Sequence, residues 1–423
     1  MIRKTGGLAL VLLAGVSCAQ AAIQLGEGRL EAEAVGMAGI ATDPSLTALG
    51  LGVNGVYTRA YSENLNFGLG ASLALPVLET NDDPAPTYGG SQLLGLEATN
   101  SGRSGLIFAL NRLYADYRKA DFGLMAGRFL LDSPFVHSSD GYRMIPNATE
   151  GVLATFYKPN MQLKAGYLNA FSGPSSASID ALGNTQRGSF VAMSDAALGE
   201  DAGGNANVDN MGLLTGAVLF QNETSGLNGQ GWLYLMPTID SAIGKSGLNI
   251  LYGDIEKTMP MGAHAGKVAV QAWHMGFTED GDALSHTVFG ALLGITPSDR
   301  FSFEGAVNMV SGDGEVREPW GMGAGYAGGE EITLAGLQEG TALRVGGTLN
   351  LGDSDTLKKR ELVANLLIQS GDAVMSVADA DMQFVEGVFK GQLKEAIDAE
   401  ARLVIGAGDA EGSVLYLRAA YRF

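Results

Sequence analysis

The side chains best suited to acid–base or nucleophilic chemistry are the histidines, whose ordinary pKa lies near neutrality. There are four of them, His137, His264, His274 and His286. His274 and His286 fall on neighbouring predicted strands, and Ser285 and Asp282 lie close enough in sequence to suggest a nucleophile–base set. Consecutive residues of a strand point to opposite faces, however, so Ser285 and His286 cannot act together. The sequence therefore predicts no enzyme.

Motifs for binding metals or phosphates are missing from the sequence. It has no HExxH pair and no P-loop, and its single cysteine, Cys18, allows neither a cysteine metal cluster nor an internal disulfide. The glycine-rich stretches at Gly203-Gly204 and Gly321–Gly329 lack the context of a phosphate-binding loop, and they indicate ordinary loops. Calcium binding by acidic loops is an alternative that no ligand spacing supports. We expect no cofactor and no metal.

The first residues have the pattern of a secretory signal peptide. Arg3 and Lys4 precede the apolar run Leu8–Val16, and Ala19-Gln20-Ala21 forms an A-x-A cleavage site. The apolar run is too short for a helix that spans a bilayer, which needs about 20 residues. Lipidation of Cys18 is the alternative, although Gly15-Val16-Ser17 lacks the expected leucine. The predicted organisation is a signal peptide at 1–21 and a single domain at 22–423.

Composition narrows the class of protein and of partner. The chain of 423 residues has 61 glycines, only 17% charged residues and a formal net charge of −19. This acidity argues against nucleic acid as a partner and favours solvated acidic loops. No linker or composition break divides the chain, so one large closed barrel accommodates its length better than several soluble domains.

The C-terminal segment alternates in the manner of a strand with one apolar face. One face carries Leu415, Leu417, Ala419, Tyr421 and Phe423, and the other carries Tyr416, Arg418, Ala420 and Arg422. This two-residue period is typical of transmembrane barrel strands. A closing strand of a soluble sandwich is the alternative. The terminal Phe423 resembles the sorting signal read by the barrel assembly machinery.

The same period recurs along the chain and predicts the fold class. Alternating segments include 65–75, 301–309, 343–351 and 362–368. One strand for each such segment gives an all-β transmembrane antiparallel barrel of about 18 strands. The fallback is 16 strands, because Gln383–Lys390 is short, Leu393–Arg402 has helical propensity and Leu49–Ala60 alternates imperfectly near Arg59.

The predicted connections divide into short turns and long loops. The long stretches are Thr80–Ala109, Asp132–Ala148, Ser172–Asn210 and Ser311–Gly340, and the strand count places all of them at one end. Outer-membrane barrels have short periplasmic turns and longer external loops. The long stretches are therefore expected to be external.

A barrel of this size predicts an aqueous channel. Backbone polar groups cannot stay unpaired in hydrocarbon, so a sheet that spans a membrane must close. At about 16 to 18 strands the interior is too wide for wall side chains to fill. The sequence thus predicts an outer-membrane porin for passive diffusion of small hydrophilic solutes or ions. The alternative is a non-conducting barrel that acts as adhesin, receptor or structural partner through its loops at Ser172–Asn210 and Ser311–Gly340.

The third predicted external loop resembles that of the OprD-type family of substrate-selective porins. The matching residues are Gly127, Arg128, Pro134, Ser138, Ser139, Asp140, Arg143, Met144, Pro146, Glu150 and Gly151. The chain departs from the family at Ala148-Thr149, where an aromatic residue is more frequent before the glutamate. The resemblance implies that the loop, at about 132–148, folds into the lumen and forms a constriction facing a row of arginines.

The resemblance and the strand pattern together give the candidate residues of the solute path. By resemblance, the narrow point contains Asp132, His137, Asp140 and Arg143. By strand alternation, the lumen-facing arginines are Arg112, Arg118, Arg128, Arg344, Arg402, Arg418 and Arg422. For each arginine the alternative is a structural ion pair with a wall carboxylate, and Asp116 beside Arg112 and Arg118 is one such cluster.

The predicted partners follow from this location. They are outer-membrane lipid and lipopolysaccharide, small hydrophilic solutes and the barrel assembly machinery. The assembly state expected is a monomer or a homotrimer.

Overall fold

Eighteen long antiparallel strands form the wall of a closed barrel. The structure is a computed structural model. It describes residues 23–25, 27–42, 45–81, 106–138, 144–173, 177–179, 185–187, 190–198, 211–241, 244–262, 264–279, 282–320, 324–329, 332–354, 357–374, 377–378, 380–393, 397–409 and 412–422. The predicted signal peptide, Asp140, Arg143 and Phe423 lie outside the described residues.

The wall strands follow one another around the barrel in chain order. They are β1 (Gly28–Thr42), β2 (Ser45–Ser62), β3 (Leu65–Asn81), β4 (Ile107–Lys119), β5 (Phe122–Phe129), β6 (Ala148–Lys158), β7 (Met161–Ser172), β8 (Leu213–Asn222), β9 (Leu227–Ser241), β10 (Gly244–Met261), β11 (His264–Glu279), β12 (Asp282–Ser298), β13 (Phe301–Gly312), β14 (Gln338–Gly352), β15 (Leu357–Val374), β16 (Asp381–Leu393), β17 (Ile397–Gly408) and β18 (Gly412–Arg422).

The barrel closes where β1 pairs with β18, in a register that runs from Glu33 opposite Arg422 to Ala41 opposite Val414. The prediction of a closed barrel with 18 strands is confirmed, and the fallback of 16 is wrong. The helical alternative for Leu393–Arg402 is wrong as well, because Ile397–Gly408 is a wall strand paired on both sides. In this segment the hydrogen bonds to two neighbouring strands outweigh the local helical propensity.

Alternation places apolar side chains on the outer face of the wall. Leu251, Leu293 and Val345 are 61%, 64% and 66% exposed, whereas Trp232, Ile250 and Val288 on the inner face are buried. Such large apolar side chains on a solvent-exposed surface would be costly in water, but they suit a surface that meets hydrocarbon. No helix in the described part of the chain is long and apolar enough to cross a membrane.

The connections lie at two ends of the barrel. Gly28 and Arg422 lie at the end here called the terminal end, and the other end is called the loop end. The four long stretches predicted from the sequence all connect strands at the loop end, as expected. Three other loop-end connections span only two residues, at 43–44, 242–243 and 280–281, so short connections occur at both ends of the barrel.

Several short elements lie outside the wall strands. Val191–Ala192 extends the sheet beside β7 and leads into a one-turn helix, α1 (Met193–Leu198). Ala177–Ile179 pairs with Thr185–Arg187, Val377–Ala378 pairs with β15, and Ile23–Leu25 pairs with β1. The loop at 130–147 is called the third loop and the loop at 313–337 the seventh loop.

Candidate solute channel

The first part of the third loop packs on the inner face of β9–β11. Phe135 is 1% exposed, and its ring lies 5.9 Å from that of Tyr234, 6.1 Å from that of Tyr252 and 6.0 Å from that of Trp273, edge to face each time. The Tyr234 hydroxyl donates to Ser133 Oγ over 2.9 Å. Aromatic edge-to-face contacts add to the burial of apolar surface, so this part of the loop is held against the wall.

The seventh loop joins the third loop inside this cluster. Val136 and Trp320 form a parallel β-bridge, and the His137 amide donates to the Trp320 carbonyl over 3.0 Å. The Trp320 indole N–H donates to the Met193 carbonyl of α1 over 2.9 Å. Trp320 is fully buried. It therefore connects three loop-end segments to one another within the barrel.

This position corrects the alternative that treated Ser311–Gly340 as an external binding surface. Trp320, Ala327 and Leu337 of this stretch are fully buried and belong to the same apolar cluster as inner-wall residues. The Ala327 amide also donates to Asn308 Oδ1 on the inner face of β13 over 2.7 Å. A large part of the seventh loop is consequently packed against the wall.

The last part of the third loop packs on the far side of the barrel. Met144 is fully buried and clusters with Val35 of β1 and Ile107 of β4. It lies over Gly52 of β2, where a Cβ would come within 2.5 Å of Met144 Cγ. Since β1 and β10 lie half a circuit apart in an 18-strand ring, the two anchored parts of the loop contact opposite walls. Asp140 and Arg143 fall between these parts, outside the described residues.

Asp132 and His137 are brought together at the base of the third loop. They form an antiparallel bridge, and Asp132 Oδ1 lies 3.8 Å from His137 Nε2. The same oxygen accepts hydrogen bonds from the Ser138 amide at 3.1 Å and the Ser138 hydroxyl at 2.6 Å. The carboxylate thus shapes its own loop while its side chain stays 66% exposed.

The candidate arginines are engaged with carboxylates. Arg128 Nε donates to Glu150 over 2.7 Å, and its guanidinium lies 4.3 Å from the centre of the Phe190 ring. Arg118 Nε lies 3.1 Å from Asp116, near the terminal end, with 61% of its side chain exposed. Both arginines thus follow the structural alternative offered by the sequence, and Arg118 contributes little to stability as an exposed pair.

Arg402 and Arg418 are more deeply placed, whereas the Arg422 side chain is 68% exposed. Arg402 pairs with Glu400, and Arg418 Nη2 lies 3.5 Å from Glu33, with only 9% of the arginine side chain exposed. Arg422 lies 3.2 Å from Asp398 and 3.5 Å from Glu33. Loss of either partner in a buried pair costs about 3–5 kcal/mol. The Arg402 and Arg418 pairs therefore fix the inner wall beside the seam between β17, β18 and β1, whereas the exposed pairs of Arg422 contribute little.

Arg344 belongs to a chain of charges that the sequence did not reveal. Lys267 Nζ lies 3.4 Å from Glu256 and 3.3 Å from Glu304, and Glu304 lies 3.3 Å from Arg344. Gly294 of β12 separates Lys267 from Glu304 in register, and a Cβ there would lie 3.4 Å from Lys267 Cβ. The glycine lets the two side chains meet across the intervening strand.

Lys164 is a second inner-wall cation that sequence reasoning missed. It faces inward between Thr155 and Ala217 in register, and its ammonium lies 5.7 Å from the centre of the Trp232 ring. No salt bridge of Lys164 is found among the described residues, and the Asp132 carboxylate is the negative charge that acts on its ammonium. The alternation of residues in Met161–Ser172 places Lys164 on the inner face, and this pattern could have identified it from the sequence. The described wall thus has paired arginines and one lysine that faces the lumen without an ion pair.

Comparison with solved structures identifies the architecture. OccK8 (OprE) of Pseudomonas aeruginosa superposes with a TM-score of 0.71 at 12% identity, covering 94% of this chain and 98% of its own. OpdK of the same organism, solved with vanillate, gives 0.69 at 12% identity over 94% and 98% of the two chains. This chain has the fold of the OprD-type porins. OccK2 (OpdF) of P. aeruginosa in complex with glucuronate gives 0.69 at 11% identity, covering 94% and 96%.

The fold prediction made from the third-loop motif is therefore confirmed over almost the whole chain. No protein-family model and no curated protein matches the sequence. At these identities the likeness to solved structures establishes the OprD-type fold, and an outer-membrane porin function is consistent with it.

Proposed function

We propose that the protein is an outer-membrane porin through which small hydrophilic solutes diffuse passively. The observation that carries this proposal is a closed ring of 18 strands with an apolar outer face and an inner face that carries ionised side chains. An 18-strand barrel encloses more space than its wall side chains fill. The outer face suits outer-membrane lipid and lipopolysaccharide.

The narrow part of the path is proposed to lie at the third loop. Its two anchored parts contact opposite walls, and Asp140 and Arg143 are charged residues of the sequence between these parts. Charged side chains and bore set selectivity in channels. Lys164, near the base of this loop and without an ion pair among the described residues, supplies positive charge there. Vanillate and glucuronate, named with OpdK and OccK2, are small organic anions, which makes this the solute class to test first.

Planar-bilayer recording of the purified protein tests the proposal. A porin gives steady single-channel steps, and the reversal potential in a salt gradient then reports whether the lumen favours anions. A sealed barrel that serves as adhesin, receptor or structural partner gives no steps. Folding is monitored separately by the heat-dependent shift in gel mobility, so that a silent but folded barrel counts against the porin.

A further inference from the structure

A cavity of about 710 Å³ opens on the inner wall at the terminal end. It lies below Trp232, between the turns that join β6 to β7 and β8 to β9. Its lining is unusually rich in carboxamides, namely Asn160, Gln162, Gln221, Asn222, Asn228 and Gln230. A carboxamide both donates and accepts hydrogen bonds. The cavity, here called the terminal-end cavity, thus presents paired donors and acceptors beside the charged side chains of Lys158, Glu223, Asp254 and Glu256.

One carboxylate at the cavity is held in a fixed orientation. Asp254 Oδ2 accepts from Gln230 Nε2 at 2.7 Å and from the Tyr252 hydroxyl at 2.7 Å. Gln230 is oriented in turn by the Trp232 indole N–H, which donates to its Oε1 over 2.8 Å. Trp232 stacks on Tyr234 with ring centres 5.7 Å apart. The second oxygen of Asp254 is therefore an acceptor whose position is set by the wall.

The charges around the cavity disfavour an anionic occupant. Lys158 is paired with Asp121 at 2.9 Å, and Lys267 is shared between Glu256 and Glu304. Asp254 has no ion-pair partner in the part of the chain that the structure describes. An anion entering the cavity would meet the Glu223, Asp254 and Glu256 carboxylates, whereas Lys164 lies at Trp232, outside the lining of the cavity.

The wall next to the cavity has hydrogen-bonding capacity that its neighbours do not use. Gln271 of β11 stands directly opposite Asp254 in register and is 4% exposed, yet neither its Nε2 nor its Oε1 has a partner among the described residues. Buried polar groups in native proteins are nearly always hydrogen-bonded. Gln271 thus offers a donor and an acceptor at the register level of Asp254, beside the lining of the cavity.

We propose that the terminal-end cavity is a solute subsite for a neutral polyhydroxylated molecule of monosaccharide size. Hydroxyl groups match carboxamides because both donate and accept, and the oriented Asp254 oxygen accepts from one of them. The proposal rests on the porin function proposed above, since the lumen is the route to the cavity. In this proposal, neutral solutes bind at the terminal end, and anions interact with Lys164 near the third loop.

Glucose and glucuronate are the matched probes, since they differ by one carboxylate. Glucose added on the terminal side is expected to interrupt the current at lower concentration than glucuronate. Asp254→Ala is expected to weaken glucose binding about tenfold, because one hydrogen bond to a charged group is lost. The ratio of glucose affinity to glucuronate affinity should decrease as well. Gln162→Leu, which removes a carboxamide from the lining without touching the Asp254 network, should weaken glucose binding with the barrel intact. Asp353→Asn, on a distant terminal-end turn, is the control and should change neither.

Calorimetry on the detergent-solubilised protein separates the two proposals. If the channel conducts but glucose binds no better than glucuronate, or both cavity variants bind glucose as the parent does, the subsite is overturned while the porin stands. If the folded barrel does not conduct, the porin proposal fails, and glucose binding measured by calorimetry still decides whether the cavity is a site.

Discussion

Trp320→Ala should release the loops that meet inside the barrel. The indole is fully buried, and its N–H donates to the Met193 carbonyl. The backbone of Trp320 forms a β-bridge with Val136. Replacing a buried tryptophan by alanine costs about 3–5 kcal/mol, and 3 kcal/mol already shifts an equilibrium by more than about a hundredfold. The wall itself is closed by strand pairing that excludes Trp320. The substitution is therefore expected to destabilise the packing of the loops rather than the barrel wall.

The expected result is a wider and noisier channel in a barrel that still folds. Single-channel conductance should rise about twofold or more, because bore limits flow at a constriction. Trp320→Phe keeps a ring and loses the hydrogen bond to Met193, worth about 1 kcal/mol, so its conductance should stay near that of the parent. The reasoning is refuted if Trp320→Ala runs as a heat-modifiable barrel on gels and conducts as the parent does, since the third and seventh loops would then not narrow the path.

Three further predictions concern single sites. Deleting 139–143 should raise conductance in bilayers, and Asp140→Asn and Arg143→Gln should shift the cation/anion permeability ratio in opposite directions; unchanged conductance in a folded barrel would place this tip outside the path. Lys164→Gln should move the reversal potential in a salt gradient toward cation preference, and a potential equal to the parent's would remove Lys164 from the ion path. Deleting Phe423 should leave protease-sensitive material outside the outer membrane, whereas parental levels of heat-modifiable barrel would contradict a sorting role.

The strands were predictable because their signal is local. In 343–351 and 362–368 the apolar side chains recur at every second residue, and the structure places Leu343, Val345 and Leu366 on the outer face. Each strand that contacts lipid needs this alternation of apolar side chains on its own. The alternation can therefore be recognised in the sequence of one strand without knowing which strands pair with it. The same reasoning predicted that arginines such as Arg344 face inward, which agrees with its pairing to Glu304.

Asp116 was predicted as a partner of Arg118, but partners on distant strands could not be predicted, because they depend on closure and register. Glu33 and Arg418 are 385 residues apart and meet only across the seam. The seventh loop shows a similar limit. The predicted stretch Ser311–Gly340 has the composition of a glycine-rich polar connection, and its buried residues, such as Trp320 and Leu337, follow no period. Their burial comes from distant wall side chains, for which the loop sequence holds no signal.

The seam between β1 and β18 also has a kinetic consequence. Its register joins residues 33–41 to residues 414–422, so its contacts have the largest sequence separation in the wall. Contacts between residues so far apart in sequence form slowly, because the chain loses conformational entropy on closing before the new contacts lower its free energy. Until they form, β1 and β18 are open edges that can pair with other chains. The ring is thus completed only after its last strand has been synthesised, and the time spent with open edges sets the risk of aggregation during biogenesis.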